Sequence, residues 1–483
     1  MGIQKTKVPD IYRDEDTIAA LATPSGPGGI GIVRVSGPLS AQLFSSVFRP
    51  VKPIKTIQSH RLYYGWACDP RDDTVIDEVL TVLMKAPHSY TKEDVMEIQC
   101  HSGSAILRRI IESLIAQGAR LADPGEFTKR AFLNGRIDLA QAEAVLDLTR
   151  ACGDTAGQLA VKQLRGYLSK GIKDIRDTIK ESIATLEVAI DYPDEEVEIL
   201  TETQLAEFLI TGAQNPLNAM IDAFDRGKIY KEGAEVLIVG RPNVGKSSLL
   251  NALACEERAI VTSIPGTTRD TIEAVLNIKG ILVRLIDTAG IRSDPDPIEQ
   301  IGIARVRQRA EFAQAALWIL DLSEPLCPED FGVLETLYAI KKWRKVLIVF
   351  NKIDKISVWK SLAEKRAIDI SSRLQEMAGG KWVGVSAITG EGLENLSRLL
   401  INNLLDEAPA EPPDIVPNLR QKEVLETAGK VVNRAIGNIS QGISPDLISI
   451  DLREAMNALG EITGDSITDE VLDHIFSHFC LGK

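Results

Sequence analysis

Residues 240–247 read Gly240-Arg241-Pro242-Asn243-Val244-Gly245-Lys246-Ser247, a complete G-x-x-x-x-G-K-S. The pattern constrains the fold because it works only between a strand and a helix N-terminus, where backbone N–H groups converge. Both flanks supply that setting. Val236-Leu237-Ile238-Val239 is a short apolar run of strand type, and Ser248-Leu249-Leu250-Asn251-Ala252-Leu253 continues as a helix. Such a loop cradles phosphates: Lys246 reaches the β- and γ-phosphates, Ser247 ligates Mg2+, and Val244, Gly245 and Ser248 complete the cradle. The spacing therefore predicts a nucleoside triphosphate site in an α/β domain.

The base is specified downstream. Val346-Leu347-Ile348-Val349-Phe350 runs into Asn351-Lys352-Ile353-Asp354, an N-K-x-D motif. The Asp354 carboxylate accepts from the N1–H and 2-amino groups of guanine, and adenine has no such donor pair. Val385-Ser386-Ala387 is similar to the S-A-K loop that backs a guanine ring, with Ile388 in place of Lys. The nucleotide expected is GTP. Between these motifs, Pro265-Gly266-Thr267-Thr268-Arg269-Asp270 reads as a first switch, with Thr268 placed to complete the Mg2+ shell. Asp287-Thr288-Ala289-Gly290 reads as a second, with Asp287 as a water-mediated Mg2+ carboxylate and the Gly290 amide sensing the γ-phosphate. Hydrolysis removes the contacts that hold both loops.

One position departs from the Ras pattern, in which a Gln orients the attacking water. Ile291 stands there, and Arg269 and Arg292 are the candidates for an arginine finger. Asn243 offers a side-chain oxygen to a monovalent cation in place of that arginine. Glu299, in Ile298-Glu299-Gln300-Ile301-Gly302, is a candidate for orienting water, although its spacing alone favours a solvated acid at a helix start.

A chain of 483 residues exceeds one core, and about two to four domains are expected. No run of eighteen apolar residues occurs and Met1–Arg13 is polar, so neither a membrane span nor a signal peptide is expected, and the cytoplasm is the expected compartment. Six cysteines, at 68, 100, 152, 255, 327 and 480, form no C-x-x-C pair and fit a reducing environment. A net charge of −13 argues against a general nucleic-acid coat, so any RNA contact is local or through a partner. Periodicity predicts a multidomain α/β and all-α chain: an α+β domain over 1–123, helices over 124–233, a Ras-like P-loop domain over 234–408 inserted into the helical domain, and helices again over 409–483. The segment Gly26-Pro27-Gly28-Gly29-Ile30-Gly31 satisfies G-x-G-x-x-G, but Ile32-Val33-Arg34-Val35 alternates like a strand where a dinucleotide fold needs a helix. A turn between strands is the expected reading. Near the C-terminus, His474 and His478 share a helix face beside Cys480; a zinc site there would need Asp473 or His101 as a fourth ligand, and core or surface histidines are the expected reading.

Taken together, Gly240–Ser248, Pro265–Asp270, Asp287–Gly290, Ile301-Gly302-Ile303 and the terminal Cys480-Leu481-Gly482-Lys483 resemble the tRNA-modification GTPase family MnmE (TrmE). The resemblance covers nearly the whole chain. It implies that K+ and pairing of two G domains replace the arginine finger, with Asn243 and backbone oxygens of Thr262, Ile264 and Thr267 as K+ ligands. The loop between them, including Ser263, Pro265 and Gly266, then closes on the nucleotide, and Glu299 positions water through an intermediary. It also implies a homodimer built by the N-terminal domain and a tetrahydrofolate derivative (5-formyl- or 5,10-methylene-tetrahydrofolate) held by Arg34, Glu97, Arg136 and Lys483. Position 136 is commonly Lys in that family and is Arg here. Cys480 takes a thiol role in one-carbon or redox chemistry. The implied reaction installs a carboxymethylaminomethyl-type group on wobble uridine of tRNA, with an FAD-dependent partner of the MnmG/GidA family in a heterotetramer. A ribosome-assembly GTPase of the Era or Der type shares the G-domain motifs but leaves the C-L-G-K terminus without account. A folate-dependent methyltransferase regulated by GTP is a third alternative.

Overall fold

A computed structural model describes residues 16–24, 26, 28–191, 201–256, 272–287, 313–332, 345–374, 381–405 and 412–483. They fall into two compact units, Met1–Leu146 with Leu164–Thr203 and Arg434–Lys483, and Asp147–Gln163 with Gln204–Asn433. The helices in chain order are α1 (Ser40–Val47), α2 (Ser104–Ala116), α3 (Glu126–Leu133), α4 (Leu139–Arg150), α5 (Asp154–Leu164), α6 (Tyr167–Asp191), α7 (Glu202–Leu209), α8 (Asn215–Glu232), α9 (Lys246–Glu256), α10 (Trp359–Leu374), α11 (Leu393–Leu404), α12 (Leu419–Ser440), α13 (Pro445–Thr463) and α14 (Asp469–Ser477).

The first unit is built on β1 (Thr17–Leu21), β2 (Ile30–Ser36), β3 (Phe48–Pro50), β4 (Leu62–Cys68), β5 (Val75–Met84), β6 (Val95–His101) and β7 (Ala119–Leu121). They form one sheet in the order β3-β4-β5-β6-β2-β1-β7. All neighbours are antiparallel except β1 and β7. The alternation of β2 sets its register: Val33 and Val35 are buried against Leu107, Ile110 and Leu114 of α2, and Arg34 lies on the other face. Slipping by one residue would bury the Arg34 charge in that apolar cluster. The Gly-rich segment ending at Gly31 joins antiparallel β1 and β2, and its described residues open no helix. Beyond the sheet, α6 buries Ile172, Ile175, Ile179, Ile183 and Leu186 at three- and four-residue steps. It packs along α13, which presents Ile448, Leu452, Ala455, Leu459 and Ile462. α14 closes against α4 through Leu472, Ile475, Phe476 and Phe479, packed with Leu139, Ala142 and Val145.

The second unit carries β8 (Ala234–Val239), β9 (Ile272–Ile278), β10 (Ile281–Asp287), β11 (Ala315–Asp321), β12 (Val346–Asn351) and β13 (Trp382–Gly384). The sheet order is β13-β12-β11-β8-β10-β9, parallel except for the β9–β10 pair. Every residue of β11 and β12 is buried, which is why both read as continuous apolar runs rather than alternating ones. One core lies on each face of the sheet. β8 is the switch point, with β10 on one side and β11 on the other, so a crevice opens beyond the carboxyl ends of these strands. Elsewhere in this unit, α7 continues through a π-helical turn, Ile210–Gln214, into α8. Pro216 in the first turn of α8 has no N–H to give the preceding ladder, which accounts for the wider turn.

Candidate nucleotide site and tail pocket

The phosphate loop joins β8 to α9, the strand–loop–helix setting expected from the sequence. Gly245 has φ of +98°, and a Cβ there would collide with Asn351 Nδ2, so glycine is required on two counts. Asn243 also has positive φ, at 64°, in the left-handed region that Asn tolerates better than most residues. Lys246 folds back across the loop and donates to the carbonyls of Gly240 (2.8 Å) and Arg241 (2.9 Å). Val244 is buried as an apolar anchor, and Asn243, Ser247 and Ser248 are exposed at the crevice. Arg241 donates through Nε to Asp330 at 2.6 Å, tying the loop to the segment after β11.

The base-reading motifs meet this loop directly. Asn351 ends β12 and its Nδ2 donates to the Val244 carbonyl at 2.8 Å, while its Oδ1 accepts the Ala387 N–H at 3.2 Å. Ser386 Oγ donates to Asp354 Oδ1 at 2.6 Å and so orients that carboxylate. Lys352 Nζ donates to the Asn243 carbonyl at 2.8 Å and to Asp321 Oδ2 at 2.6 Å. Asp321 was not singled out in the sequence, where it reads only as a carboxylate at the end of an apolar strand. Burial pushes its carboxyl up, but hydrogen bonds from Lys352 and Ser323 outweigh that and hold it below the usual range. The structure thus brings together Asn243, Val244, Gly245, Lys246, Ser247, Ser248, Asn351, Lys352, Asp354, Ser386 and Ala387. Asp287 is the last residue of β10. Thr262, Ser263, Ile264, Pro265, Gly266, Thr267, Thr268, Arg269, Thr288, Ala289, Gly290, Ile291, Arg292 and Glu299 lie outside the described residues.

A second constellation forms in the first unit. Arg34 on β2 stands opposite Glu97 on β6, and its Nε donates to Glu97 Oε1 at 2.8 Å. The chain's other end comes to the same place: Arg34 Nη1 donates to the Gly482 carbonyl at 3.3 Å, and Gly125 N donates to the Cys480 carbonyl at 3.4 Å. Gly482 has φ of +88° against the Leu21 backbone, where a Cβ would collide. Lys483 N bonds back to Cys480 O at 3.3 Å, and the Cys480 side chain is exposed. Tyr90, which sequence reading missed, is the hub. Arg34 lies over its ring at 5.4 Å and Arg136 at 4.7 Å, and Arg136 also donates to the Tyr90 carbonyl at 3.2 Å. A guanidinium can lie over a ring and still donate to a carbonyl, which suits arginine better than a compact ammonium. Phe127, also missed, takes the Arg34 guanidinium at 5.8 Å. Two arginines, a carboxylate and the Tyr90 ring, backed by the buried Phe127, make a cluster whose chemistry suits a flat, polar, partly anionic ring system.

The histidines behave otherwise. His478 Nδ1 is 2.8 Å from the His474 carbonyl, and His101 pairs with Asp77. Among the described residues no group of three or more His, Cys, Asp and Glu side chains is arranged to hold a metal.

Comparison with known proteins covers the same span. The MnmE helical domain family matches residues 139–480, and the family of the GTP-binding protein TrmE N-terminus matches 17–136. The tRNA modification GTPase MnmE of Geobacillus thermodenitrificans is 44% identical over 97% of this chain and 99% of its own length. That of Carboxydothermus hydrogenoformans is 45% identical over 97% and 100%. A solved structure of Era from Aquifex aeolicus is 29% identical over 41% of this chain and 66% of that one, at a TM-score of 0.30. Identity at this level over nearly the whole chain, with both family models matching, places the chain in the MnmE family of tRNA modification GTPases.

Proposed function

We propose that this chain hydrolyses GTP to drive modification of wobble uridine in tRNA, installing a carboxymethylaminomethyl-type group at position 5 of the base. The observation that carries the reading is the bonding of Asn351 and Lys352 to the carbonyls of Val244 and Asn243, which fuses a guanine reader to a phosphate cradle. In this reading Ser247 and Thr268 hold Mg2+, Asp287 serves it through water, and Gly290 senses the γ-phosphate. K+ is taken by the Asn243 side chain with the backbone of Thr262, Ile264 and Thr267, when two G domains (234–408) meet. Glu299 orients the water. No arginine finger is then needed, because the cation supplies positive charge where it develops in the transition state.

The tetrahydrofolate derivative occupies the pocket of Arg34, Glu97, Arg136 and Lys483 in the 1–123 domain and its neighbours, with Cys480 at its edge. The stacked arginines on Tyr90 support that assignment. Helical segments 124–233 and 409–483 carry the inserted G domain. The partners are a second copy of this chain, an FAD-dependent protein of the MnmG/GidA family and tRNA, in the cytoplasm. For the homodimer, the support is a sheet face on which Leu62, Tyr64, Trp66 and Leu80 are 39% to 51% exposed. Among the described residues no helix is long and apolar enough to cross a membrane.

The test compares GTP hydrolysis in KCl and in NaCl for the natural chain and Asn243→Ala. Faster turnover in KCl that the variant abolishes supports the reading, and equal rates in both salts overturn the cation mechanism. Mass spectrometry of wobble nucleosides from cells lacking the chain tests the modification itself.

A further inference from the structure

We infer that Asp321 is a positioning residue for the nucleotide site, locking Lys352 so that the base-reading turn and the phosphate loop act as one piece. Its side chain is 3% exposed. One carboxylate oxygen accepts Lys352 Nζ at 2.6 Å, and the other accepts Ser323 N at 2.9 Å and Ser323 Oγ at 2.6 Å. The Asp321 backbone carbonyl is held as well, by Arg366 Nη1 at 3.2 Å. The carboxylate is therefore fixed on every side, and Lys352 is the movable partner.

What Lys352 does with its remaining reach gives the contact its consequence. The ammonium has three donors. One goes to Asp321 and one to the carbonyl of Asn243. Both Lys352 (φ +65°) and Asn243 (φ +64°) sit in the left-handed region, which non-glycine residues hold only where surroundings enforce it. A single ammonium thus bridges two unfavourable backbone turns, and a buried carboxylate decides where that ammonium stays. Free lysine side chains sample many rotamers. Held by Asp321, Lys352 is ordered before nucleotide arrives, and binding is spared that ordering cost. Asp321 does not belong to the Asp354–Ser386 pair that reads the base, so it governs affinity and leaves base choice alone.

The inference rests on reading the crevice as a guanine-nucleotide site. The experiment uses the full chain and a fluorescent N-methylanthraniloyl GDP, with Asp321→Asn, Lys352→Met and the double variant. Asp321→Asn should weaken binding roughly tenfold to a hundredfold, mainly through faster release. The double variant should bind no more weakly than Lys352→Met alone, because the carboxylate acts through that lysine. The preference for GDP over IDP should match that of the natural chain, a readout that general loosening of the site would erode. Asp321→Asn binding within about twofold of the natural chain overturns the inference, and so do losses that multiply in the double variant. If Asp321→Asn does not fold, Asp321→Glu, which keeps the charge but displaces it, replaces it in the same cycle and is judged by the same criterion. Failure of the natural chain to bind GDP at all overturns the underlying nucleotide reading instead.

Discussion

The nucleotide crevice and the tail pocket solve similar problems with opposite materials. In the crevice, the side chains that matter sit within a few residues of a strand end, and what holds them is mostly backbone: Lys246 on two loop carbonyls, Asn351 on Val244, Lys352 on Asn243. The tail pocket is held mostly by side chains that meet across the chain, Arg34 with Glu97, Lys129 with Asp473 and Arg136 with Tyr90. Backbone carbonyls come with any sequence that makes the turn. A stacked guanidinium depends on one specific ring 46 residues away. The first kind of site should therefore tolerate change outside its motifs, and the second should fail when its scaffold shifts.

The strongest way to break that contrast is through α3, which carries Phe127 and Thr128 beside Tyr90. Arg130, with a side chain 7% exposed, binds Asp16, Glu126 and Glu93 at 2.6, 2.9 and 3.3 Å. Arg130→Met removes one of the two cations of this network, leaving the buried Glu126 to Arg120 alone, and should cost about 3 kcal/mol in denaturant unfolding of the first unit. GDP affinity should be unchanged; a parallel loss of GDP affinity would mean that the two sites are not independent. Next in size, Lys246→Ala should lower hydrolysis at saturating GTP on the order of 10^2- to 10^3-fold, measured by phosphate release, with the unfolding midpoint unmoved. Arg34→Met should weaken 5-formyltetrahydrofolate binding by about tenfold in calorimetry. Retained affinity would remove Arg34 from the folate assignment.

The smallest effect is one of pH. Asp16 and Glu126 have ordinary values of 3.8 and 4.5, and both are held lower in the fold: burial opposes, but hydrogen bonds from Arg130 and Arg120 outweigh it. A depressed carboxylate stabilises the fold above its unfolded value, and that stabilisation is lost as pH falls through the folded one. Stability of the first unit should therefore decline below about pH 4.5, and Arg130→Met should flatten the decline. A profile identical in the variant would show that this network does not carry the acid sensitivity.

Legibility in the sequence followed the same division. β8, the phosphate loop and α9 were readable because one short pattern demands strand, turn and helix in sequence, and the N-K-x-D and Ser386-Ala387 turns end strands that are apolar throughout. The Gly-rich turn before β2 was readable because alternation after it excludes a helix. Tyr90, Phe127 and Asp321 were not readable. An aromatic between strands and a carboxylate at a strand end acquire meaning only from what the fold sets against them, and neither spacing nor periodicity encodes a contact between elements far apart in the chain. Arg136 was noticed as a substitution, but its stacking on Tyr90, which gives the change physical sense, appears only in three dimensions.

The bond from Arg34 to Gly482 spans 448 positions. During synthesis Gly482 therefore emerges long after the sheet that receives it. Until it does, the strands stand with the recess unfinished, and a chain cut before Gly482 is distinguishable by that missing rim.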